Sequence, residues 1–257
     1  MRITAVIFDW AGTTVDYGSL APVRTLQKLF AGRGLEVSEE EARRDMGIHK
    51  KDHIRALLRA KSGRPPAEAD VAAFFADFIP MQMECLAQYS ALIPGVAEAA
   101  GRLRARGIKI GSTTGYTRPM LDLLLAGAAA QGYAPDCALC PDDAGAGRPW
   151  PWMCYLCAIR LQAYPMHTMV KIGDTVSDIE EGLNAGMWTV AVARTGNMIG
   201  LAQDELAALP AAERAARLDT ARRKLREAGA HYVIDGVADF DPLLDRIEER
   251  LAKGERP

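Results

Sequence analysis

The sequence predicts an α/β fold, a doubly wound parallel sheet with a small inserted α-helical domain. Short apolar runs with the character of strands recur along the 257 residues, and longer helical patterns lie between them. Most of these runs are nearly continuous in apolar residues, which is typical of parallel strands covered on both faces. One long interval, from about residue 17 to residue 93, has helical patterns and no convincing strand. Because strands and helices alternate elsewhere, functional groups are expected at the carboxyl ends of the strands.

Six segments are predicted as strands, and the third of them has the weakest pattern. In chain order they are Ile3–Phe8, Ile108–Thr113, Cys137–Cys140, Met169–Gly173, Trp188–Ala193 and Tyr232–Ile234. The helical patterns between them include Gly95–Arg106, Met120–Gln131, Met153–Leu161, Val176–Ala185 and the basic run Ala212–Arg226. This alternation predicts strand–helix–strand units, whose strands lie parallel in one sheet.

The interval without strands contains four predicted helices, Ala21–Arg33, Glu39–Asp45, Lys50–Lys61 and Ala67–Gln88. A helical module of this size, inserted directly after the first strand, is most simply interpreted as a cap over the ends of the strands. The predicted boundaries are therefore residues 19–94 for the cap domain, with residues 1–18 and 95–257 forming the core domain.

Composition and charge indicate a globular chain and exclude several classes of partner. Apolar residues make up 49% of the chain and charged residues 25%, which suits a buried core. Lysine and arginine (31) nearly balance aspartate and glutamate (33), so no overall basic field is available for a nucleic-acid backbone. No apolar run approaches the ~18–20 residues that cross a bilayer, so no membrane partner is expected. The five cysteines, an odd number, favour a reducing cytoplasm.

Asp9 follows the apolar run Ala5–Phe8 directly, at the end of the first predicted strand. Aspartate is rare within strands, so its presence here calls for a reason. Capping of a helix or formation of a turn is one explanation. A carboxylate nucleophile or metal ligand at the mouth of the sheet is the other, and Asp9 alone does not separate them.

Three further motifs favour a functional site. The segment Ile110–Gly115 ends the second strand with hydroxyl residues and glycine, which suit phosphate oxygens. Arg148 supplies a cation before a helix. Asp174 and Asp178 are four residues apart across the start of another helix, so they face the same side. Together these groups predict a site for a divalent cation and a phosphoryl group, because a hard ion prefers oxygen ligands and the developing charge needs neutralising.

This ordered set of motifs, with Asp9 at its head, resembles the haloacid dehalogenase superfamily. The resemblance implies a Rossmann-like core and Asp9 as the nucleophile. The usual pattern in that superfamily is Asp-x-Asp, in which the second aspartate protonates the leaving oxygen. This chain has Ala11 at that position. The departure fits either a phosphatase that has lost its activity or a reaction whose leaving group is not an oxygen.

The third helix of the predicted cap has two different faces. Its apolar stripe contains Lys50, His53, Ile54 and Leu57, and its solvated face contains Lys51, Arg55 and Arg59. The stripe predicts that Lys50 faces the core domain, where loss of solvent lowers the pKa of its amine and makes it nucleophilic. For this helix in isolation, a lysine that keeps its ammonium group in water is the better interpretation.

Five segments together resemble the phosphonatase family of this superfamily: FDWAGTTVDYG, MGIHKKDH, GSTTGYTR, GRPWPWMCY and GDTVSD. The resemblance extends from about residue 4 to residue 230. It implies hydrolysis of the carbon–phosphorus bond of a small phosphonate, phosphonoacetaldehyde, with Lys50 forming a Schiff base and Asp9 forming an aspartyl phosphate. It also implies Mg²⁺ bound by Asp9, Asp174 and the carbonyl of Ala11, and a homodimer.

This chemistry explains the unusual residues of the motifs. Cleavage of a carbon–phosphorus bond leaves its electrons on carbon, and an imine on Lys50 accepts them as an enamine. No leaving oxygen needs a proton, so Ala11 is tolerated. His53, one turn beyond Lys50, is predicted to shuttle protons, although a packed histidine is the alternative.

The remaining site residues are assigned around the substrate and the metal. Thr114, Gly115 and Arg148 are expected to hold the phosphoryl group, and Met46 is counted with them as a substrate-binding residue. Asp178 is expected to orient the ligands of the metal. Two other functions fit parts of the sequence: a phosphomonoesterase of the same superfamily, and a non-catalytic module stabilised by zinc on four cysteines, Cys137, Cys140, Cys154 and Cys157.

Overall fold

A six-stranded parallel sheet forms the centre of the molecule, in a computed structural model that describes all residues from Met1 to Pro257. The strands are β1 (Ala5–Phe8), β2 (Lys109–Thr113), β3 (Cys137–Leu139), β4 (Met169–Gly173), β5 (Trp188–Val192) and β6 (Tyr232–Ile234). All six predicted strands are therefore confirmed, including the weak third one. The doubly wound α/β fold is confirmed with them.

Twelve α-helices surround or extend from the sheet. They are α1 (Leu20–Ala31), α2 (Glu39–Arg44), α3 (Lys50–Ser62), α4 (Glu68–Gln88), α5 (Val96–Ala105), α6 (Arg118–Ala130), α7 (Pro141–Ala144), α8 (Trp152–Leu161), α9 (Val176–Asn184), α10 (Gln203–Ala208), α11 (Ala211–Glu227) and α12 (Asp241–Ala252). The predicted helices match theirs to within about two residues. Helices α7, α10 and α12 have no counterpart among the predictions, although α12 buries an apolar stripe of its own.

The order of the strands brings three chain segments together at one edge. The order is β3-β2-β1-β4-β5-β6, so β1 lies between β2 and β4 and the direction of winding reverses there. In open α/β sheets, the crevice at such a reversal is the usual place for a ligand. Ile7 of β1 pairs with Gly111 of β2 on one side and with Lys171 of β4 on the other. The residues that follow these three strands consequently meet at the carboxyl edge.

Packing on both faces of the sheet fixes β1 in the centre. On one face, the Phe8 ring meets Tyr133 edge to face at 6.2 Å and Phe240 at 6.5 Å between ring centroids. On the other face, Ile7 faces the half of the core that is formed mainly by β3 and α8. Burial on both faces explains why this strand is a continuous apolar run rather than an alternating one.

The inserted segment between β1 and α5 contains helices α1–α4 and no strand. Its interior contains buried aromatic rings, and those of Phe30 and Phe74 lie 4.9 Å apart. The two chain connections to the sheet run side by side, because Val15 forms a bridge with Leu92 and the Ile93 N–H donates to the Thr14 carbonyl at 2.9 Å. None of the helices combines the length and apolar character needed to cross a membrane.

Candidate active site

The carboxyl edge of the sheet and the inserted helices enclose a cavity of about 20 Å³. It is lined by Asp9, Ala11, Ser19, Pro22, Met46, Gly47, Lys50, Thr114, Gly115, Tyr116, Arg148 and Thr175. All the predicted site residues are in this lining except His53, Asp174 and Asp178. A volume of this size holds about one water molecule, so the site is closed in this conformation.

Asp9 is held at the mouth of the sheet by its backbone and by an arginine. Its N–H continues the β1–β4 pairing by donating to the Ile172 carbonyl at 2.9 Å. Its carbonyl accepts from the Thr14 hydroxyl at 3.0 Å. The carboxylate is nearly buried, and its Oδ1 lies 2.7 Å from Nη2 of Arg148. One carboxylate oxygen is therefore fixed by a cation at the cavity.

Three buried carboxylates, those of Asp9, Asp174 and Asp178, each have an oxygen within 4.8 Å of the others. Asp174 is oriented by the Thr13 hydroxyl at 3.3 Å and by the Asn197 N–H at 2.7 Å. Burial raises the pKa of both Asp9 and Asp174, and repulsion between carboxylates adds to the effect. A divalent cation would offset this excess of negative charge, so the cluster suits one.

The backbone beside the cluster also suits a cation. Gly12 has a φ of +83°, and a Cβ there would collide with the Asp174 carboxylate. Ala11 lines the cavity, and its carbonyl oxygen accepts no hydrogen bond from the chain. This carbonyl oxygen is therefore free to bind a ligand next to the carboxylates.

Asp178 differs from the other two carboxylates because cations surround it. Its Oδ1 lies 2.7 Å from Lys171 Nζ and 3.0 Å from Arg148 Nη1, and its Oδ2 accepts from the Thr175 hydroxyl at 2.5 Å. Burial alone would raise its pKa, but Arg148 and Lys171 outweigh burial and lower it. Asp178 is therefore ionised and already paired, which suits a residue that orients its neighbours rather than one that binds a metal directly.

Arg148 is the most heavily bonded side chain of the site. Its Nη2 donates to the carbonyl of Thr113 at 2.7 Å and to its hydroxyl at 3.0 Å, and its Nε donates to Glu181 Oε2 at 2.9 Å. Lys171 lies 3.4 Å from the same Glu181 oxygen. Neither Glu181 nor Lys171 is among the site residues predicted from the sequence. A lysine in the middle of an otherwise apolar strand, MVKIG, was the signal for the second of them.

Lys50 begins helix α3 and points into the cavity from the inserted helices. The predicted stripe is confirmed, since Lys50, His53, Ile54 and Leu57 are all buried. The Lys50 Nζ lies 3.4 Å from the Met46 sulfur and 5.6 Å from the centre of the Tyr116 ring. Burial lowers the pKa of this amine to about 8, and the attraction of Asp9 opposes the change only in part.

His53 lies on the same face of α3 as Lys50 but does not line the cavity. It is fully buried, and neither of its ring nitrogens has a hydrogen-bond partner. Burial, reinforced by Lys50, holds the pKa of His53 well below its usual value, so the ring is neutral. Its role in proton transfer stays a prediction.

The loop before α3 rests directly on the sheet edge. The Ser177 hydroxyl at the start of α9 donates to the Met46 carbonyl at 3.1 Å. Arg148 Nη1 donates to the Gly47 carbonyl at 3.4 Å. These bonds join the inserted helices to the same elements that carry Asp174 and Arg148.

The thiols of Cys137 and Cys157 lie within hydrogen-bond reach of each other, but the four cysteines of the zinc alternative do not form one ligand group. The Cys140 sulfur lies 3.4 Å from an Asp143 oxygen, whereas that of Cys157 lies 3.7 Å from the Ser112 carbonyl. The three aspartates are the only side chains of ligand type that gather in a group of three or more. All five cysteines of the chain are free thiols.

Comparison with known proteins gives a consistent set of relatives. A family model described as haloacid dehalogenase-like hydrolase matches residues 3–186. A phosphonoacetaldehyde hydrolase from Nitratidesulfovibrio vulgaris is 47% identical, with 99% of this chain and 94% of that protein covered. One from Bacillus cereus is 45% identical, covering 97% and 98%. A solved phosphonoacetaldehyde hydrolase-like protein from Oleispira antarctica has a TM-score of 0.96 and 41% identity, covering 100% and 96%.

Proposed function

Because the chain belongs to the haloacid dehalogenase-like hydrolases, and among them to the phosphonoacetaldehyde hydrolases, we propose that it converts phosphonoacetaldehyde and water to acetaldehyde and phosphate. One observation carries this proposal. A buried primary amine, that of Lys50, and a carboxylate, that of Asp9, line the same closed cavity. The presence of Ala11 where related phosphatases have an acid supports a leaving group that is not an oxygen.

The first half of the reaction belongs to Lys50. Its neutral amine attacks the aldehyde carbon, and uptake of one proton with loss of one water gives a protonated imine. The lowered pKa of about 8 keeps a useful fraction of the amine neutral near neutral pH. The nearest groups to the amine are a thioether and an aromatic ring, and the attraction of Asp9 and Asp174 offsets the effect of burial only in part.

The second half belongs to Asp9 and Arg148. A carboxylate oxygen of Asp9 attacks phosphorus, the carbon–phosphorus bond breaks, and its electron pair moves into the imine to give an enamine. Protonation at carbon and hydrolysis then release acetaldehyde and free Lys50. A further water hydrolyses the aspartyl phosphate, which restores Asp9 and releases phosphate. Arg148 balances charge on the phosphoryl oxygens throughout.

For the metal, we propose Mg²⁺ held by Asp9, Asp174 and the Ala11 carbonyl, with Asp178 orienting this group. When bound, the ion supplies positive charge next to the transferring phosphoryl group. The support is the excess of buried carboxylate in the cluster and the unbonded carbonyl oxygen. Asp178 contributes through its bond to Thr175, directly after Asp174 in the chain.

Thr114, Gly115 and Met46 are proposed to line the bound substrate. Thr114 and Gly115 follow β2, where hydroxyl and N–H groups suit the phosphoryl oxygens. Met46 contacts the reactive amine and keeps water from it. For His53, we propose proton transfer to or from the imine, because it lies one turn from Lys50 on the same buried face of α3.

We also propose that residues 19–94 act as a mobile cap on the core formed by residues 1–18 and 95–257. The closed cavity is too small for the substrate, so the cap must open for entry. The paired connections at Val15 and Leu92 lie next to the proposed hinges, Tyr17–Ser19 and Ile93–Gly95. Closure then excludes water from the enamine step.

Borohydride trapping tests the proposed reaction. Reduction in the presence of phosphonoacetaldehyde should attach the substrate carbons to Lys50 only, as read by peptide mapping. Labelling of Lys51 instead would contradict the assignment. Phosphate release from simple phosphate esters, but not from phosphonoacetaldehyde, would favour a phosphomonoesterase. Tightly bound zinc without turnover would favour the non-catalytic alternative.

We also propose that the protein is a homodimer in the cytoplasm. Four of the seven exposed large apolar side chains, Trp150, Trp152, Ile159 and Tyr164, lie in or beside α8. The rings of Trp150 and Trp152 stack with centroids 6.0 Å apart. An apolar face of this kind pairs with an identical face across a twofold axis, so a second copy is the expected occupant. The odd number of cysteines supports a reducing compartment.

Light scattering tests the dimer. Wild type should have twice the chain mass, and Ile159→Arg, which adds a charge to the apolar face, should shift the protein toward the monomer. Arg160→Ala, at an exposed neighbouring position, is the matched control and should stay dimeric. A monomeric wild type would contradict the assembly.

A further inference from the structure

Arg43 on α2 reaches from the inserted helices to two loops of the sheet part of the chain. Its Nη1 donates to the Gly18 carbonyl at 3.0 Å and to Asn197 Oδ1 at 3.1 Å, and its Nη2 donates to the Gly200 carbonyl at 2.9 Å. Its Nε donates to Glu39 on its own helix at 2.8 Å. A guanidinium has five donors in a rigid plane, so one side chain can join several acceptors at fixed positions. Arg43 therefore ties α2 to both loops at once.

Asn197 connects this arginine to the acid cluster. Its side-chain Nδ2 donates back to the Arg43 carbonyl at 3.1 Å, so the two residues bond each other in both directions. Its backbone N–H donates to Asp174 Oδ2 at 2.7 Å. Asn197 is only 5% exposed, so these bonds are shielded from water. One buried residue thus contacts both the inserted helices and a proposed metal ligand.

The backbone of the second loop is shaped for this contact. Gly200 has a φ of +68°, and a Cβ at this position would lie 2.5 Å from the guanidinium carbon of Arg43. Only glycine allows both this conformation and this approach. The first acceptor, Gly18, lies in the connection that leads from the sheet into α1, within the proposed hinge Tyr17–Ser19.

We propose that Arg43 is a positioning residue that, through Asn197, couples closure of the inserted helices to the orientation of Asp174. This inference depends on the proposed function at one point only, the assignment of Asp174 as a ligand of the metal. With the helices closed, Arg43 holds Asn197, and Asn197 holds the carboxylate in its ligating orientation. With the helices open, Arg43 withdraws and Asn197 loses its side-chain partner.

Thermodynamic linkage makes this coupling reciprocal. If closure strengthens cation binding at Asp174, then cation binding must strengthen closure by the same factor. Mg²⁺ alone should therefore order the inserted helices, even when no substrate is present. Removal of the Arg43–Asn197 bonds should abolish that effect and leave each part of the chain folded.

Hydrogen exchange of the full chain, with and without MgCl₂, tests the coupling. Asn197→Ala is the sharpest variant, because it keeps the backbone N–H that bonds Asp174 and removes only the amide that bonds Arg43. In wild type, MgCl₂ should slow exchange in α2 and α3 by about tenfold, since closure protects those amides. In Asn197→Ala, it should protect residues 173–178 but not α2 or α3. Arg44→Ala changes an exposed arginine on the same helix and should behave as wild type.

Turnover as a function of MgCl₂ concentration gives a second measurement. The concentration for half-maximal turnover should rise about tenfold in Asn197→Ala and in Arg43→Lys, while turnover at saturating MgCl₂ stays within about threefold of wild type. A purely structural defect would lower turnover at every concentration. The double variant should be no worse than Arg43→Lys alone, because the Asn197 side chain acts on the inserted helices through Arg43.

Two outcomes would overturn the inference. Equal protection of α2 and α3 by MgCl₂ in wild type and in Asn197→Ala would show that the inserted helices close without this link. If MgCl₂ did not protect residues 173–178 in wild type, the cation would not bind at Asp174. The proposed coupling would then have no basis. Neither outcome touches the Schiff base, which borohydride trapping at Lys50 decides separately.

Discussion

Arg148 and Lys50 are both buried cations at one cavity, yet their surroundings shift their pKa values in opposite directions. Arg148, from the sheet part, forms ion pairs with three carboxylates at 2.7 to 3.0 Å, and these outweigh burial and raise its pKa. Lys50, from the inserted helices, forms no ion pair, and burial lowers its pKa to about 8. Burial alone therefore does not decide protonation; the partners within reach do.

The difference corresponds to two chemical tasks. A cation that must neutralise a phosphoryl group has to stay charged, and a network of carboxylates keeps Arg148 so. An amine that must attack a carbonyl has to lose its proton, and contact with Met46 favours the neutral form. Substitutions at Lys50, Arg148, Ala11 and Met46 alter one side of this contrast at a time.

Replacement of the amine should have the largest effect. Lys50→Arg keeps the charge but cannot form an imine, so phosphate release from phosphonoacetaldehyde should fall by more than about 10³-fold. Borohydride trapping should fail as well, while the melting temperature stays close to that of wild type. Lys51→Arg, on the partly exposed face of the same helix, is the matched control and should retain activity. Substantial turnover by Lys50→Arg would show that no imine is needed.

Replacement of Arg148 should lower activity less than replacement of Lys50 does. Arg148→Lys keeps a charge near Asp9 but cannot donate in the same plane to Thr113, Glu181 and Asp178, so kcat/KM should fall by about 10²-fold. Imine trapping at Lys50 should persist, because that step does not use Arg148. Arg160→Lys, an exposed change on α8, serves as the control. Loss of trapping together with turnover would mean that the two halves of the site are not independent.

Restoration of the usual acid should have a smaller effect. Ala11→Asp adds a carboxylate next to Asp9, and the added charge should lower carbon–phosphorus cleavage by at least about tenfold. A slight gain of activity on phosphate esters is expected, because the new acid can protonate a leaving oxygen. Ala11→Asn has a side chain of similar size without the charge. A comparison of the two variants therefore separates the effect of charge repulsion with Asp9 from the effect of side-chain size. If Ala11→Asp cleaved the carbon–phosphorus bond as fast as wild type, the alanine at this position would not be needed for the reaction.

The pH dependence should show the smallest change. Imine formation needs neutral Lys50, and the neutral fraction rises with pH through a pKa of about 8, so kcat/KM should increase about threefold from pH 7.5 to 8.5. Met46→Glu would bring a carboxylate to the amine, raise the pKa of Lys50 and move this rise to higher pH. Met46→Leu keeps the surroundings apolar and should leave the profile in place. A flat profile across this range would contradict the lowered pKa.

Much of the fold and part of the site followed from local patterns. Short, mostly apolar runs predicted all six strands, since a strand buried on both faces has little polar alternation. The i, i+3, i+4 stripe of α3 gave the correct buried face for Lys50. Position after a strand was enough to bring Asp9 and Thr114 to one cavity. In each case, the residues that form the pattern lie close together in the sequence, within one or two helical turns or strands.

Contacts between distant segments were decided only by the tertiary structure. The bond between Arg43 and Asn197 joins residues 154 positions apart, and nothing local to either residue indicates the other. The same holds for Glu181 as a partner of Arg148, and for the position of His53 behind the cavity rather than in it. Periodicity reports which face of an element is buried. The pairing of charged side chains depends on how whole helices and strands pack against one another. Burying a charge costs free energy, and that cost is offset only when a partner of opposite charge from another part of the chain lies next to it.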